Sequence, residues 1–367
     1  VTTTSRDPAL DVTRALAISG VVLMNYHTYL NKGEATNPVR STWSTDLLDP
    51  ATGILTTRFA ATFVVVAGIG AALFAREALG SGDRTEIARR RTVLLRRGLL
   101  LYGVGAALEW VWPGTILFFY GAYFVLAALV CTWSDRRLAA LATALVAGAA
   151  VLAWWRLEQA IDGRSTAWLS PELNGVRNLA IRTFVAHTHP VLPWFAFFLV
   201  GMLIGRHFDA VRRRRGRVLG VALSVLAGVH VLRTVLTPAV RTTAAESRLA
   251  LLVSTDPFDR GVAYSISAIA TAVAAILAVS YLTERAAASG LVSALGRAGR
   301  ASLSLYLGHV CFYVVVVRWM SVVDGGGPSA SIALSVAYVV PAIVLAAWWV
   351  RRLGIGPAER VYRVIGG

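Results

Sequence analysis

At 367 residues the chain is long enough for a sizeable core, yet only 15% of its residues are charged against 56% hydrophobic. A water-soluble domain carries about a quarter of its residues charged, and the deficit here runs along the whole chain, which excludes a soluble globular fold. The net charge of +16 does not point to nucleic acid, because the arginines form short blocks between apolar runs instead of one basic face.

In lipid every backbone N–H and C=O needs an internal partner, so only helices or a closed barrel can span. The apolar runs are continuous rather than alternating, which leaves helices and an all-α fold class. A hydrocarbon core of about 30 Å needs about 20 helical residues. That ruler predicts ten helices at 11–30, 54–79, 94–112, 115–133, 138–155, 189–206, 218–236, 262–283, 302–320 and 330–351. The first carries Asp11 and Arg14 at its start with no small-residue cleavage site after it, and reads as a retained helix rather than a signal peptide. The third and fourth are joined only by Pro113-Gly114, a tight turn. Trp110, Trp112, Trp154, Trp155, Trp194, Trp319, Trp348 and Trp349 lie near helix ends, where amphipathic rings favour the headgroup region. Cys131 and Cys311 sit in apolar segments and read as neither a disulfide framework nor a metal site; no metal is expected.

Arginine blocks at 84–97, 136–137, 212–217, 285–300 and 351–363 all fall on the side of the N-terminus when the spans are counted off. The positive-inside rule makes that side the cytoplasm, with both termini there. The opposite loops, 31–53, 156–188, 237–261 and 321–329, carry fewer basic residues, and 156–188 has room for a small external helix. With no internal repeat and no long linker, the expectation is one multi-pass domain over 1–367 in the cytoplasmic (inner) membrane.

Ionisable groups inside a span are costly, about 2.5–3.5 kcal/mol on insertion scales, so each is a functional candidate. They are His27, Arg58, Glu109, His230, Arg233, His309 and Arg318. All but His309 fall in the outer third of their predicted helices, a shared depth that a scattered structural set does not explain. Structural readings stand beside this one: an Arg58–Glu109 ion pair, Arg318 and Arg233 reaching out to headgroups, and His230 or His309 as packing histidines. His27, just after Asn25-Tyr26, is the favoured catalytic group. A neutral imidazole at a cavity mouth takes a proton from a hydroxyl or amine, or attacks a thioester itself. The amide of Asn25 could orient the ring or hydrogen-bond a developing oxyanion. Most inner arginines are topology signals, but Arg90, Arg91, Arg96 and Arg97 are placed to grip phosphates with planar guanidinium forks.

The run Leu10-Asp11-Val12-Thr13-Arg14, closing on Asn25-Tyr26-His27, resembles the first helix of the transmembrane acyltransferase superfamily, which includes acyltransferase family 3 and heparan-alpha-glucosaminide N-acetyltransferase. Arg90-Arg91 through Arg96-Arg97-Gly98, the turn Trp112-Pro113-Gly114-Thr115-Ile116-Leu117, Trp194 through Gly205-Arg206, Gly299 through Leu307 and Gly356 through Arg360 look most like its YeiB-like branch, although Thr115 stands where that branch usually has Asp. The resemblance implies a bundle of ten or eleven helices, acyl-CoA (acetyl-CoA most simply) as donor from the cytoplasm, His27 as catalytic histidine and Asn25 as its companion. Arg58, Glu109, His309 and Arg14 are then the candidate substrate-binding residues, and Arg90, Arg91, Arg96 and Arg97 the donor-binding ones. The acceptor would be a hydroxyl or amine of an extracytoplasmic or membrane-embedded molecule such as a cell-envelope glycan or glycolipid, with a homodimer left open. The alternative is a transporter or lipid exporter, which the lack of matching halves disfavours.

Overall fold

The computed structural model describes residues 7–30, 47–49, 52–170, 175–237, 243–323 and 327–367. Most of the predicted loop 31–53, with the chain's one lysine, Lys32, lies outside the described residues, as do parts of the other three outer loops. Among the described residues there is no strand. The helices are α1 (Pro8–Leu30), α2 (Arg58–Ser81), α3 (Arg84–Leu108), α4 (Ile116–Val130), α5 (Asp135–Ile161), α6 (Val176–Phe184), α7 (Val191–Arg206), α8 (Phe208–Arg213), α9 (Arg215–Leu236), α10 (Ala244–Val253), α11 (Val262–Arg285), α12 (Gly290–Gly299), α13 (Ser302–Tyr313), α14 (Gly327–Leu353) and α15 (Pro357–Gly366). A π-helical stretch, Val314–Trp319, prolongs α13.

Six of these are long and apolar enough to cross a membrane: α2, α5, α9, α11, α13 with its π extension, and α14. Helices α4 and α7 are shorter but apolar, and α1 and α3 occupy the two remaining predicted spans. Each of the ten expected spans thus has a helix over it. The difference lies at α3, which starts at Arg84 instead of near 94. Asp83 caps it, accepting from the backbone N–H of Thr85 (2.8 Å) and Glu86 (3.4 Å). Glu86 then pairs with Arg89 (2.7 Å) and Arg90 (2.6 Å) one turn on. Those i,i+3 and i,i+4 pairs hold a charged first half in helical form, so the arginine block extends the helix rather than forming a connection. The small helix expected within 156–188 is α6. Helices α8, α10, α12 and α15 had no counterpart among the predicted elements, being too short for a ruler of spanning length.

The chain folds as two compact units, the described parts of 1–63 with 275–362, and of 64–274 with 363–367; α2 and α11 run from one into the other. In the first unit α1 is clasped by α12 and α14. At Gly299 a Cβ would come within 1.8 Å of the Asp11 carbonyl oxygen, so only glycine allows that crossing. Glu359 receives the N–H groups of Leu303 (2.6 Å) and Ser304 (3.3 Å) and the Ser304 hydroxyl (2.6 Å), which satisfies the first turn of α13 and ties α15 to it. In the second unit α3 and α4 form a tight hairpin about Pro113-Gly114, where Gly114 takes φ 88°. Gly98, Gly105 and Gly121 bring the two backbones into contact. Helices α2 and α7 meet the same way: a Cβ on Gly68 would lie 2.1 Å from the Phe198 carbonyl, and one on Gly201 2.1 Å from that of Val65. Where lipid surrounds helices, close backbone approach through small residues replaces the hydrophobic effect as the packing force.

Candidate functional site

In the first unit, Asn25, Tyr26 and His27 lie in the last turns of α1, and α13 and α14 receive them. His27 is buried, and its Nδ1 lies 3.1 Å from the hydroxyl of Ser331 on α14. Ser331 donates its hydrogen to the carbonyl of Gly327, one turn earlier (3.0 Å). A hydroxyl has a single hydrogen to give. With it directed at Gly327, Ser331 is set to accept from Nδ1, which suits the Nδ1–H tautomer of His27. Ser335, next on that face, donates to the Ser331 carbonyl (2.7 Å).

Asn25 turns elsewhere. Its Nδ2 donates to Nε2 of His309 on α13 at 3.1 Å, while His309 Nδ1 donates to the Tyr306 carbonyl. His309 is wholly buried and is held neutral in form by having one donor and one acceptor nitrogen engaged. Tyr26 is fully buried too. Its hydroxyl donates to the His309 carbonyl (2.9 Å), and its ring packs 5.9 Å from the imidazole and 5.4 Å from Tyr313. Tyr338 OH donates to Leu305 O (2.6 Å). Residues two apart on a helix do not share a face, which is why Asn25 and His27 engage different neighbours and the amide does not orient the His27 ring. That role falls to Ser331.

Of the other predicted site residues in this unit, Arg14 pairs with Asp11 one turn back on α1 (2.9 Å) at the far end of the helix from His27. Arg58 is buried where α2 begins, its N–H donating to the Leu55 carbonyl (3.1 Å).

In the second unit Glu109 sits at the C-terminus of α3, 2% exposed. It accepts from the Gly114 N–H (2.6 Å) and from Nη2 of Arg182 on α6 (2.8 Å). The ion pair considered for Glu109 therefore exists with Arg182. Arg182 also donates to Nε2 of His187 (2.6 Å). That ring is pushed down to about 3 by burial, then by the neighbouring Arg182 and Arg260 charges, so it is neutral and accepts.

The four arginines of α3 singled out in the sequence are mostly engaged within the protein. Arg90 bonds Glu86 and the Phe74 carbonyl and lies over the Phe74 ring (4.7 Å). Arg91 donates to the Ala128 carbonyl (2.9 Å) and Arg97 to that of Gly367 (2.9 Å). Arg96 is the exposed one of the four.

Sequence reasoning missed Ser331, Arg182 and His187. Ser331 left a readable trace: with Ser335 and Tyr338 it makes a polar stripe at i, i+4 and i+7 on an otherwise apolar span. Arg182 left none, lying in a stretch read as an outer loop.

Residues 6–234 match the family described as heparan-alpha-glucosaminide N-acetyltransferase, catalytic. Residues 210–365 match a family of proteins of unknown function, DUF418, which is YeiB-like. No curated protein matches the chain. Together the two matches cover the helices that carry His27, Asn25, His309 and Ser331, and the first spans well over half of the chain: the protein belongs to the heparan-alpha-glucosaminide N-acetyltransferase catalytic family within the transmembrane acyltransferases.

Proposed function

We propose that this multi-pass membrane protein transfers an acetyl group from acetyl-CoA to a hydroxyl or amine of an extracytoplasmic or membrane-embedded acceptor, such as a cell-envelope glycan or glycolipid. The observation that carries the reading is the relay His27 Nδ1–H to Ser331 Oγ–H to Gly327 O. It supports the tautomer that a general base or nucleophile needs, with Nε2 as the reacting nitrogen. In the direct route Nε2 takes the acceptor proton as its oxygen or nitrogen attacks the thioester carbonyl, and the CoA thiolate leaves and is protonated. In the two-step route Nε2 attacks first and expels the CoA thiolate, forming an acyl-imidazole; the acceptor's oxygen or nitrogen then takes the acyl group and gives its proton to the released imidazole. Donor phosphates are assigned to the arginine face of α3, where Arg96 is exposed. The arginine distribution supports a cytoplasmic position for both termini, and we place the protein in the cytoplasmic (inner) membrane.

His27→Ala abolishes transfer on this reading while the purified variant keeps the wild-type melting temperature and chromatographic behaviour. A well-folded His27→Ala protein that still transferred acetyl groups would refute it.

A further inference from the structure

A cleft of about 220 Å³ lies in the second unit, among the C-terminal half of α5, the start of α7, α10 and the segment before α11. Its walls are mostly apolar, with Leu152, Leu192, Leu251 and Phe258 among them, yet two guanidinium groups line it, those of Arg156 and Arg260. Arg260 is 7% exposed and is anchored by its two terminal nitrogens, Nη1 on the Val185 carbonyl (2.9 Å) and Nη2 on that of His187. Its Nε is buried with no hydrogen-bond partner among the described residues, and so is Nη2 of Arg156. The Arg260 backbone sits at φ 53°, a left-handed conformation that a non-glycine residue holds only when its surroundings demand it.

Both charges face one small space. Burial first, and the charge of Arg156 second, push Arg260 down to about 10. The carboxylate that lines the cleft, Asp259, accepts the hydroxyl hydrogen of Ser254. One carboxylate against two guanidiniums leaves an excess of positive charge, and unmatched buried donors are costly unless a ligand completes them.

We infer that this cleft is a binding site for an amphipathic anion, a phosphate or carboxylate head between Arg156 and Arg260 with its apolar chain along Leu152, Leu192, Leu251 and Phe258. A guanidinium fork matches both head chemistries. The apolar walls select a head that carries a chain over a free ion. Nothing in this inference depends on acyl transfer, and its test reads binding alone.

The test uses the full-length protein in dodecyl maltoside micelles, with dodecyl phosphate and inorganic phosphate as separate probes, followed by thermal unfolding and by isothermal titration. Dodecyl phosphate should raise the wild-type melting temperature, and inorganic phosphate at the same concentration should not. Arg156→Gln should weaken dodecyl phosphate binding about tenfold, the scale of one charge-assisted hydrogen bond. Nη2 of Arg156 has no hydrogen-bond partner among the described residues, so its substitution should leave the apo protein as stable as wild type. Leu152→Trp, which fills the cleft without touching charge, should abolish binding and keeps the test decisive if the first variant does not fold. Equal binding by wild type and both variants, or no shift in the wild type, overturns the site. Inorganic phosphate as effective as dodecyl phosphate overturns the chain-bearing ligand.

Discussion

His27 and Ser331 are 304 positions apart in the chain and 3.1 Å apart in space. On the proposed function the hydroxyl holds one tautomer and one ring orientation, so its loss should slow chemistry rather than weaken donor binding. Ser331→Ala is expected to lower kcat about tenfold or more with little change in KM for acetyl-CoA; a fall in affinity with kcat intact would assign Ser331 to substrate binding instead. His187 gives a pH signature. Its folded value near 3 lies below the ordinary histidine value of 6.5. The unfolded chain therefore binds a proton below about 6.5 that the native protein refuses until about 3. Stability from this group is fully present above 6.5 and falls by about 1.4 kcal/mol per pH unit towards 3. His187→Gln should flatten the melting temperature between pH 6.5 and 4 relative to wild type, and an unchanged slope would mean that His187 is already charged in the native state. At this scale the sequence could single out His27 as a candidate, because a titratable group in an apolar span stands out in one dimension. It could not reveal that Asn25 turns to His309, because the choice between neighbours on a helix is made by which helix packs there.

Single elements show where composition suffices and where it does not. The spans were legible because the bilayer sets one length for all of them. The start of α3 was not, since a ruler of apolar length stops where charge begins, while Asp83 and the Glu86 pairs carry the helix another turn and more towards its N-terminus. Packing between elements was equally hidden. Glycines are scattered through the chain, and nothing in their spacing alone tells Gly68, pressed on the Phe198 carbonyl, from Gly80, which has open space around it. Gly68→Val is expected to force α2 from α7 and to cost several kcal/mol, more than the ~1–3 kcal/mol of ordinary overpacking because the obstacle is backbone. Gly80→Val should be neutral or gain a few tenths of a kcal/mol, because valine is the better helix former and nothing stands in its way. Thermal unfolding of both in the same detergent checks the pair, and equal losses would remove the close-contact argument.

For the molecule as a whole, membership of the acetyltransferase family sets the expectation that a CoA thioester binds from the cytoplasmic side. Saturating acetyl-CoA should raise the melting temperature of the purified protein by several degrees, as about 2.7 kcal/mol accrues at a hundredfold excess over Kd. In vesicles, acetyl-CoA should support transfer when the side bearing the termini is exposed to it and not when that side is sealed inside. Activity from the opposite side alone would reverse the orientation read from the arginines. Sequence by itself determined that this chain lives in lipid, that it does so as helices, how many spans to look for, and which imidazole to suspect. Those properties are set residue by residue, by transfer from water to hydrocarbon and by the length of a helical rise. Only the tertiary structure decided the partners: Ser331 for His27, His309 for Asn25, Arg182 for Glu109, and Arg156 beside Arg260. A hydrogen bond or a shared charge depends on two side chains meeting, and the folding of one helix against another is what brings them together.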